Sequence, residues 1–221
     1  MRILRAWKIP LKIPLFIVLI FCGCAVVPTS QPTNDNLDIP LDQGAVYLID
    51  EADVVVSVSG ATETIIHQKI IITGEKGKQH GTLQISYDSE RQSIDIIEAK
   101  TITPENLVLR AQKSNIKIVT PAELTPYSVL YPGIKVCTVN LPSVGIGSTV
   151  EYTYKIKTNK PLMPGEFWDG FYFQSEEPFV LSRYRLWVPE KMQIHAFPFS
   201  VELKQKTKKG KPCLVSGINL L

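Results

Sequence analysis

The chain has 221 residues, 44% hydrophobic and 20% charged, with 24 Lys and Arg against 21 Asp and Glu and a formal charge of +3. That apolar content excludes a disordered tail, the length suffices for a real core, and four cysteines are too few for a dense disulfide scaffold. The excess of positive charge is local, because Arg2, Arg5, Lys8 and Lys12 precede residue 13 and the first acidic residue is Asp35.

Residues 1–12 are basic and residues 13–22, IPLFIVLIFC, are apolar throughout. This is the n-region and h-region order of an export signal peptide. Gly23-Cys24-Ala25 follows at once and resembles a bacterial lipobox, with Phe21 standing where Leu is usual. The resemblance implies cleavage after Gly23 and a lipid on Cys24 that ties the protein to a membrane. Cys22 fits less well, since bulky Phe21 would then occupy the cleavage position. By the sorting pattern of such lipoproteins, Ala25 favours the outer membrane, on its periplasmic or surface face, in a host that has one.

An ordinary cleaved signal and a retained anchor are the alternatives. Residues 13–28 offer only 16 apolar or weakly polar positions, two of them proline, where a spanning helix needs about 20. Removing residues 1–23 takes away four positive charges and no negative ones, which turns +3 into −1. A mature chain near neutrality has no global electrostatic reason to bind nucleic acid, and none is expected as a partner.

Residues 24–44 are rich in Pro, Thr, Asn and Asp and read as a flexible tether. From Ala45 the dominant period is two. Val54, Val56 and Val58 point one way, Leu83, Ile85 and Tyr87 alternate with polar neighbours, and Val150, Tyr152, Tyr154 and Ile156 alternate with Glu151, Thr153, Lys155 and Lys157. Such strands have one buried and one wet face. Turn signals separate them at Ser59-Gly60, Gly74 to Gly77, Asp88 to Arg91, Thr103 to Asn106, Pro142 to Gly147 and Lys208 to Lys211.

No window of 12 residues carries a helical stripe. Residues 105–115 fit a short turn or, at Val108 and Leu109, a strand, and the proline-rich stretch from Thr120 to Gly133 reads as a long connection. The expected fold is all-β, an antiparallel β-sandwich over residues 45–216 with a short tail at 217–221. Lys204, Lys206, Lys208, Lys209 and Lys211 mark a basic last hairpin at a solvated sheet edge, where lysines discourage strand addition.

Five motifs follow in order: Tyr87 to Gln92; Ile94 and Ile96 leading to Glu98-Ala99-Lys100-Thr101-Ile102-Thr103-Pro104; Leu141-Pro142 with Gly145 and Gly147-Ser148 before Val150-Glu151-Tyr152; Pro161 to Trp168; and Phe173-Gln174-Ser175 with Pro178 and Ser182-Arg183. Together they resemble the bacterial β-domain of unknown function that commonly precedes a transglutaminase-like, papain-type domain. The resemblance spans roughly Gly44 to Pro189. In longer relatives a catalytic domain with a Cys-His-Asp arrangement follows. This chain reaches only Leu221, so the resemblance implies a compartment and a fold and no activity.

The residues themselves agree. A thiol nucleophile needs a nearby His and is helped by a helix N-terminus. Cys137 instead lies in a strand pattern and reads as a small core residue, or as one half of a disulfide with Cys213. His67, His80 and His195 have no partner at ligand spacing, and Asp88, Glu90, Asp95 and Glu98 read as turn caps and wet strand faces. No catalytic residue, cofactor site or metal site is expected.

The most unusual composition is Phe167 to Trp187, which holds eight of the chain's 19 aromatics. Alternation assigns most of them to the core, with Phe171 and Phe173 on one strand face. Trp168, after a proline-rich turn and beside Asp169, is the best exposed aromatic and the one candidate ligand contact.

The expected function is a non-catalytic, lipid-anchored envelope β-domain that binds or assists an envelope protein partner. The alternatives are a truncated remnant or subunit of a transglutaminase-like enzyme, and a cell-wall glycan or peptide module. Changing Cys24 to Ser should block lipidation and leave unprocessed precursor in a membrane immunoblot; normal processing of that variant would defeat the lipobox reading.

Overall fold

A computed structural model describes residues 44–121, 133–173, 175–196, 201–208 and 211–219. Cys24, the signal segment and residues 24–43 of the tether lie outside the described residues, as do residues 122–132 of the expected long connection. Among the described residues eleven strands form two sheets. They are β1 (Ala45–Val56), β2 (Thr62–Ile72), β3 (Thr82–Asp88), β4 (Gln92–Ile102), β5 (Val108–Arg110), β6 (Ile116–Val119), β7 (Ile134–Asn140), β8 (Thr149–Thr158), β9 (Leu181–Trp187), β10 (Glu202–Lys208) and β11 (Lys211–Asn219). Short 3-10 helices occupy Glu75–Gly81 and Lys113–Asn115.

The large sheet runs β10-β11-β9-β1-β2-β8-β4-β5, and the small one runs β3-β7-β6. The expected sandwich is present. Its core lies where the small sheet covers the large one: Ile70, Ile72, Val150, Tyr152 and Ala99 from the large sheet meet Ile85, Cys137 and Val139 from the small one. The alternation read at Leu83, Ile85 and Tyr87 delivers Ile85 to this core while Thr82, Gln84 and Ser86 stay exposed.

One strand junction departs from the antiparallel expectation. β9 pairs with β1 in parallel, Asp50 opposite Ser182 through Val55 opposite Trp187. Parallel neighbours need a crossover rather than a hairpin, and residues 159–180 supply it. The crossover starts beside the β1–β2 turn, where the Gly165 amide donates to the Ser59 carbonyl at 2.8 Å, and ends at the far end of β1, where the Tyr47 amide donates to the Pro178 carbonyl at 2.9 Å. Gly60, at φ +84°, makes room for it, because a Cβ there would lie 2.5 Å from the Glu166 carbonyl oxygen. Under this segment sits a second core of Val54, Val56, Leu186 and Val188, with Phe167, Tyr184, Met192 and Ile194 packed on it.

Two β-bulges set which side chains face inward. In β1 the register slips between Tyr47 and Ile49, leaving Leu48 unmatched. In β4 it slips between Ile96 and Glu98, leaving Ile97 unmatched and exposed. Each slip reverses the facing of everything beyond it. Asp50, Ala52, Val54 and Val56 are therefore buried, and Glu51 and Asp53 turn to the opposite face.

Two readings are corrected and one alternative is closed. Val58 does not continue the inward valine row; β1 ends at Val56 and Val58 is exposed in the turn. Phe171 and Phe173 share no strand face, since the crossover carries no strand there. Cys137 is the small core residue expected, a free, buried thiol, so the alternative of a disulfide with Cys213 falls; Cys213 lies on β11 of the large sheet, its backbone opposite Trp187. The basic hairpin is the sheet's last, with β10 as the edge strand, and β11 continues through Asn219 along β9.

Ile70 is almost fully buried between the sheets. Ile70→Ala should destabilise the domain by about 2–5 kcal/mol and Ile70→Val by about 0.5–1.5 kcal/mol, measured by urea unfolding. Equal effects from the two would contradict a close-packed core at this position.

Candidate functional site

The crossover positions the aromatic run by alternately anchoring and releasing it. Phe167 packs on the second core. Phe171 meets the Tyr184 ring at 5.4 Å and the Phe173 ring edge-on at 4.9 Å. Asp169 fastens the segment between them: its Oδ2 accepts from the Tyr184 hydroxyl at 2.7 Å and its Oδ1 from the Gly170 amide at 2.8 Å. Burial first, and the Asp169 charge second, push the Tyr184 hydroxyl pKa far up, so it remains a proton donor to that carboxylate. The residues between the anchors face out. Trp168 is 62% exposed, as the sequence suggested, and Tyr172 is 86% exposed, which it did not. Leu162 and Met163, on the preceding turn, are exposed as well.

At its other end the crossover closes a polar cluster that has no local sequence signal. His80, in the first 3-10 helix, pairs with Glu177 of the crossover at 2.7 Å, and the two side chains are 15% and 14% exposed. Tyr47 stacks on Phe179 at 4.6 Å and meets the His80 ring edge-on at 5.5 Å. Tyr152 donates its hydroxyl to the His80 carbonyl. Burial, with help from Glu177 and Asp50, raises the Tyr47 pKa to about 12, and burial with Asp50 does the same for Tyr154.

Asp50 is 6% exposed and accepts from the Gln68 amide at 2.8 Å. Burial raises its pKa, the Gln68 bond opposes that, and the Glu51 charge adds to it. Opposite Asp50 on β9, the Ser182 hydroxyl is fully buried and finds no protein partner.

The outer face of the large sheet carries paired charges. Arg183 holds Glu51 through Nε at 2.7 Å, and Arg185 holds Asp53 through Nη2 at 2.6 Å, both across the parallel junction. His67 bonds Glu151 at 3.1 Å, and Lys100 reaches both Glu151 at 3.3 Å and Glu98 at 2.9 Å. Burial pushes the Glu151 carboxyl up, but the His67 bond and the Lys100 charge outweigh it and hold the pKa below its ordinary value.

The chemical capacity of these groups is limited. The hydrogen-bonded rings of His67 and His80 face carboxylates rather than a thiol or hydroxyl. Burial raises the Cys137 pKa, the opposite of what a thiolate nucleophile requires. Asp88 caps the β3–β4 turn by accepting from the Glu90 amide at 3.0 Å, and Glu98 is taken up by Lys100 and Arg110. Among the described residues no three His, Cys, Asp or Glu side chains converge as a metal would need.

The folded protein holds the Asp50 proton more tightly than the unfolded chain does. Deprotonation therefore costs stability as pH rises from the ordinary 3.8 through the raised folded value. Asp50→Asn removes that component. In urea unfolding from about pH 4 to about pH 7, the variant should gain stability relative to the wild type as pH rises. A difference that stays flat across the range would show that Asp50 does not carry it.

Comparison with known proteins bears on the whole domain. A crystal structure described as a "putative protease" from Parabacteroides distasonis ATCC 8503 superposes with a TM-score of 0.66 at 16% identity, over 80% of this chain and 35% of that one. The M1 zinc metallopeptidase of Deinococcus radiodurans gives a TM-score of 0.38 at 13% identity, over 78% and 38%. Yeast LTA4 hydrolase gives 0.34 at 9%, over 81% and 29%. The chain thus spans about a third of the length of these proteins. No curated protein matches it. Residues 59–212, well over half of the chain, match the family described as a domain of unknown function with a solved structure, DUF3857. The chain belongs to the DUF3857 family.

Proposed function

We propose that the protein is a non-catalytic accessory β-domain, held at the cell envelope by a lipid on Cys24, that works beside a transglutaminase-like protease. Family membership over residues 59–212 carries the reading. The Parabacteroides distasonis structure, described as a "putative protease" and nearly three times the length of the shared fold, is consistent with a β-domain accompanying a separate catalytic part. The chemistry of the described residues supports the non-catalytic role. The Cys137 thiol is buried and hard to ionise, and the two paired histidines are committed to carboxylates. The basic and apolar N-terminus ending in Gly23-Cys24 supports export and anchoring.

Such a domain acts by presenting surface. The large sheet is a rigid support, and the crossover and the charged outer face are what a partner can reach. In-cell crosslinking of the full chain in its native envelope, followed by partner identification, should recover a protein with a transglutaminase-like sequence. The purified chain should not hydrolyse peptides. Peptide hydrolysis that disappears on Cys137→Ser would overturn the reading.

A further inference from the structure

The exposed aromatics of the crossover, Trp168 and Tyr172, belong to neither hydrophobic core. The crossover's inward contacts are made by Phe167 on the second core, Phe171 on Tyr184 and Phe179 on Tyr47. Trp168 and Tyr172 instead leave most of each residue in solvent. Both are large, lie four residues apart on one anchored segment, and offer aromatic faces of the kind that contact surfaces use. The segment is fixed on both sides of Trp168, by Phe167 in the second core and by Asp169 between Tyr184 and Gly170. A pre-ordered platform loses little entropy on binding.

Asp169 decides the chemistry of the occupant. A carboxylate offers roughly four lone-pair positions, and the Tyr184 hydroxyl and Gly170 amide take one on each oxygen. Each oxygen keeps acceptor capacity, and the side chain is exposed directly beside Trp168. An aromatic face next to a fixed, half-used acceptor suits a ligand with an apolar C–H face and hydroxyl donors at its rim. A lipid surface suits it poorly. Glu166 and Asp169 flank Trp168, and sinking Trp168 among acyl chains would drag both carboxylates out of water at high cost.

We propose that Trp168 and Tyr172, with Asp169 as hydroxyl acceptor, form a stacking site for a neutral pyranose glycan chain. The sugar rings lie on the two aromatic faces and a ring hydroxyl donates to Asp169. This site is independent of any protease partner and stands or falls apart from it.

The full chain, in detergent, is titrated with hexasaccharides of β-1,4-linked glucose and of N-acetylglucosamine, and is sedimented with isolated peptidoglycan sacculi. At least one probe should bind. Trp168→Ala and Tyr172→Ala should each weaken that binding about tenfold or more, with unchanged thermal unfolding because both side chains are exposed. The double variant Leu162→Ala, Met163→Ala should bind as the wild type does. Failure of all three probes, or binding untouched by Trp168→Ala, overturns the proposal. So does sedimentation with phospholipid vesicles, or capture of a protein partner, that depends on Trp168 while the glycans do not bind.

Discussion

The structure turns on the neighbours of β1. One neighbour, β2, arrives by a short turn, and the other, β9, arrives in parallel from more than a hundred residues away. Parallel pairing obliges the chain to travel the length of the sheet before it can re-enter, so the crossover follows from the pairing rather than being an ornament on it. Its path is fixed at Ser59 and at Tyr47, the two ends of β1. The segment that must make this journey is also the segment that covers the second core. One topological requirement thereby places the aromatic run, brings Phe167 over the second core and leaves Trp168 and Tyr172 outward.

The junction itself is held differently on its two faces. Inward, Leu186 and Val54 lie opposite one another in the second core, and Tyr184 lies opposite Ala52. Outward, Arg183 and Arg185 take up Glu51 and Asp53 from the adjacent strand. The bulge at Leu48 is what makes this division possible. Without it, the carboxylates of Glu51 and Asp53 would share the face of Tyr47, inside. With it, β1 buries apolar residues at both ends, and Asp50 is the one acid carried inward. Gln68 satisfies part of Asp50, and the protein tolerates the remainder.

Much of this was legible in the sequence, for a definable reason. Where a strand has one covered and one wet face without a register slip, as at Leu83 to Tyr87, the period-two pattern reports burial directly. The basic hairpin likewise announced a sheet edge, and β10 is one. The pattern misled at the valine row, since alternation cannot say that β1 stops at Val56 and turns. It misled again at Phe171 and Phe173, because a crossover pinned at intervals also alternates inward and outward residues without being a strand. Trp168 was found because its neighbours are turn formers. The His80–Glu177 pair was invisible, as 97 residues separate its members and only the fold brings them together. Asp50 was missed for a different reason, its burial being decided by an unmatched residue two positions earlier.

The parallel junction also dictates an order of assembly. Glu51 and Arg183 are 132 residues apart, and contacts of such separation form late because loop closure must precede any reward from pairing. The hairpin of β1 and β2, then β8 and β4 beyond it, can pair while the far side of β1 still presents unpaired amides and carbonyls. Only when residues 159–180 have laid themselves along the sheet can β9 take that place, with β11 and β10 following outward. The interval before closure is the vulnerable stage of folding, when an open strand edge invites pairing with another chain. A polypeptide made from its N-terminus shows that edge long before it delivers the strand that covers it.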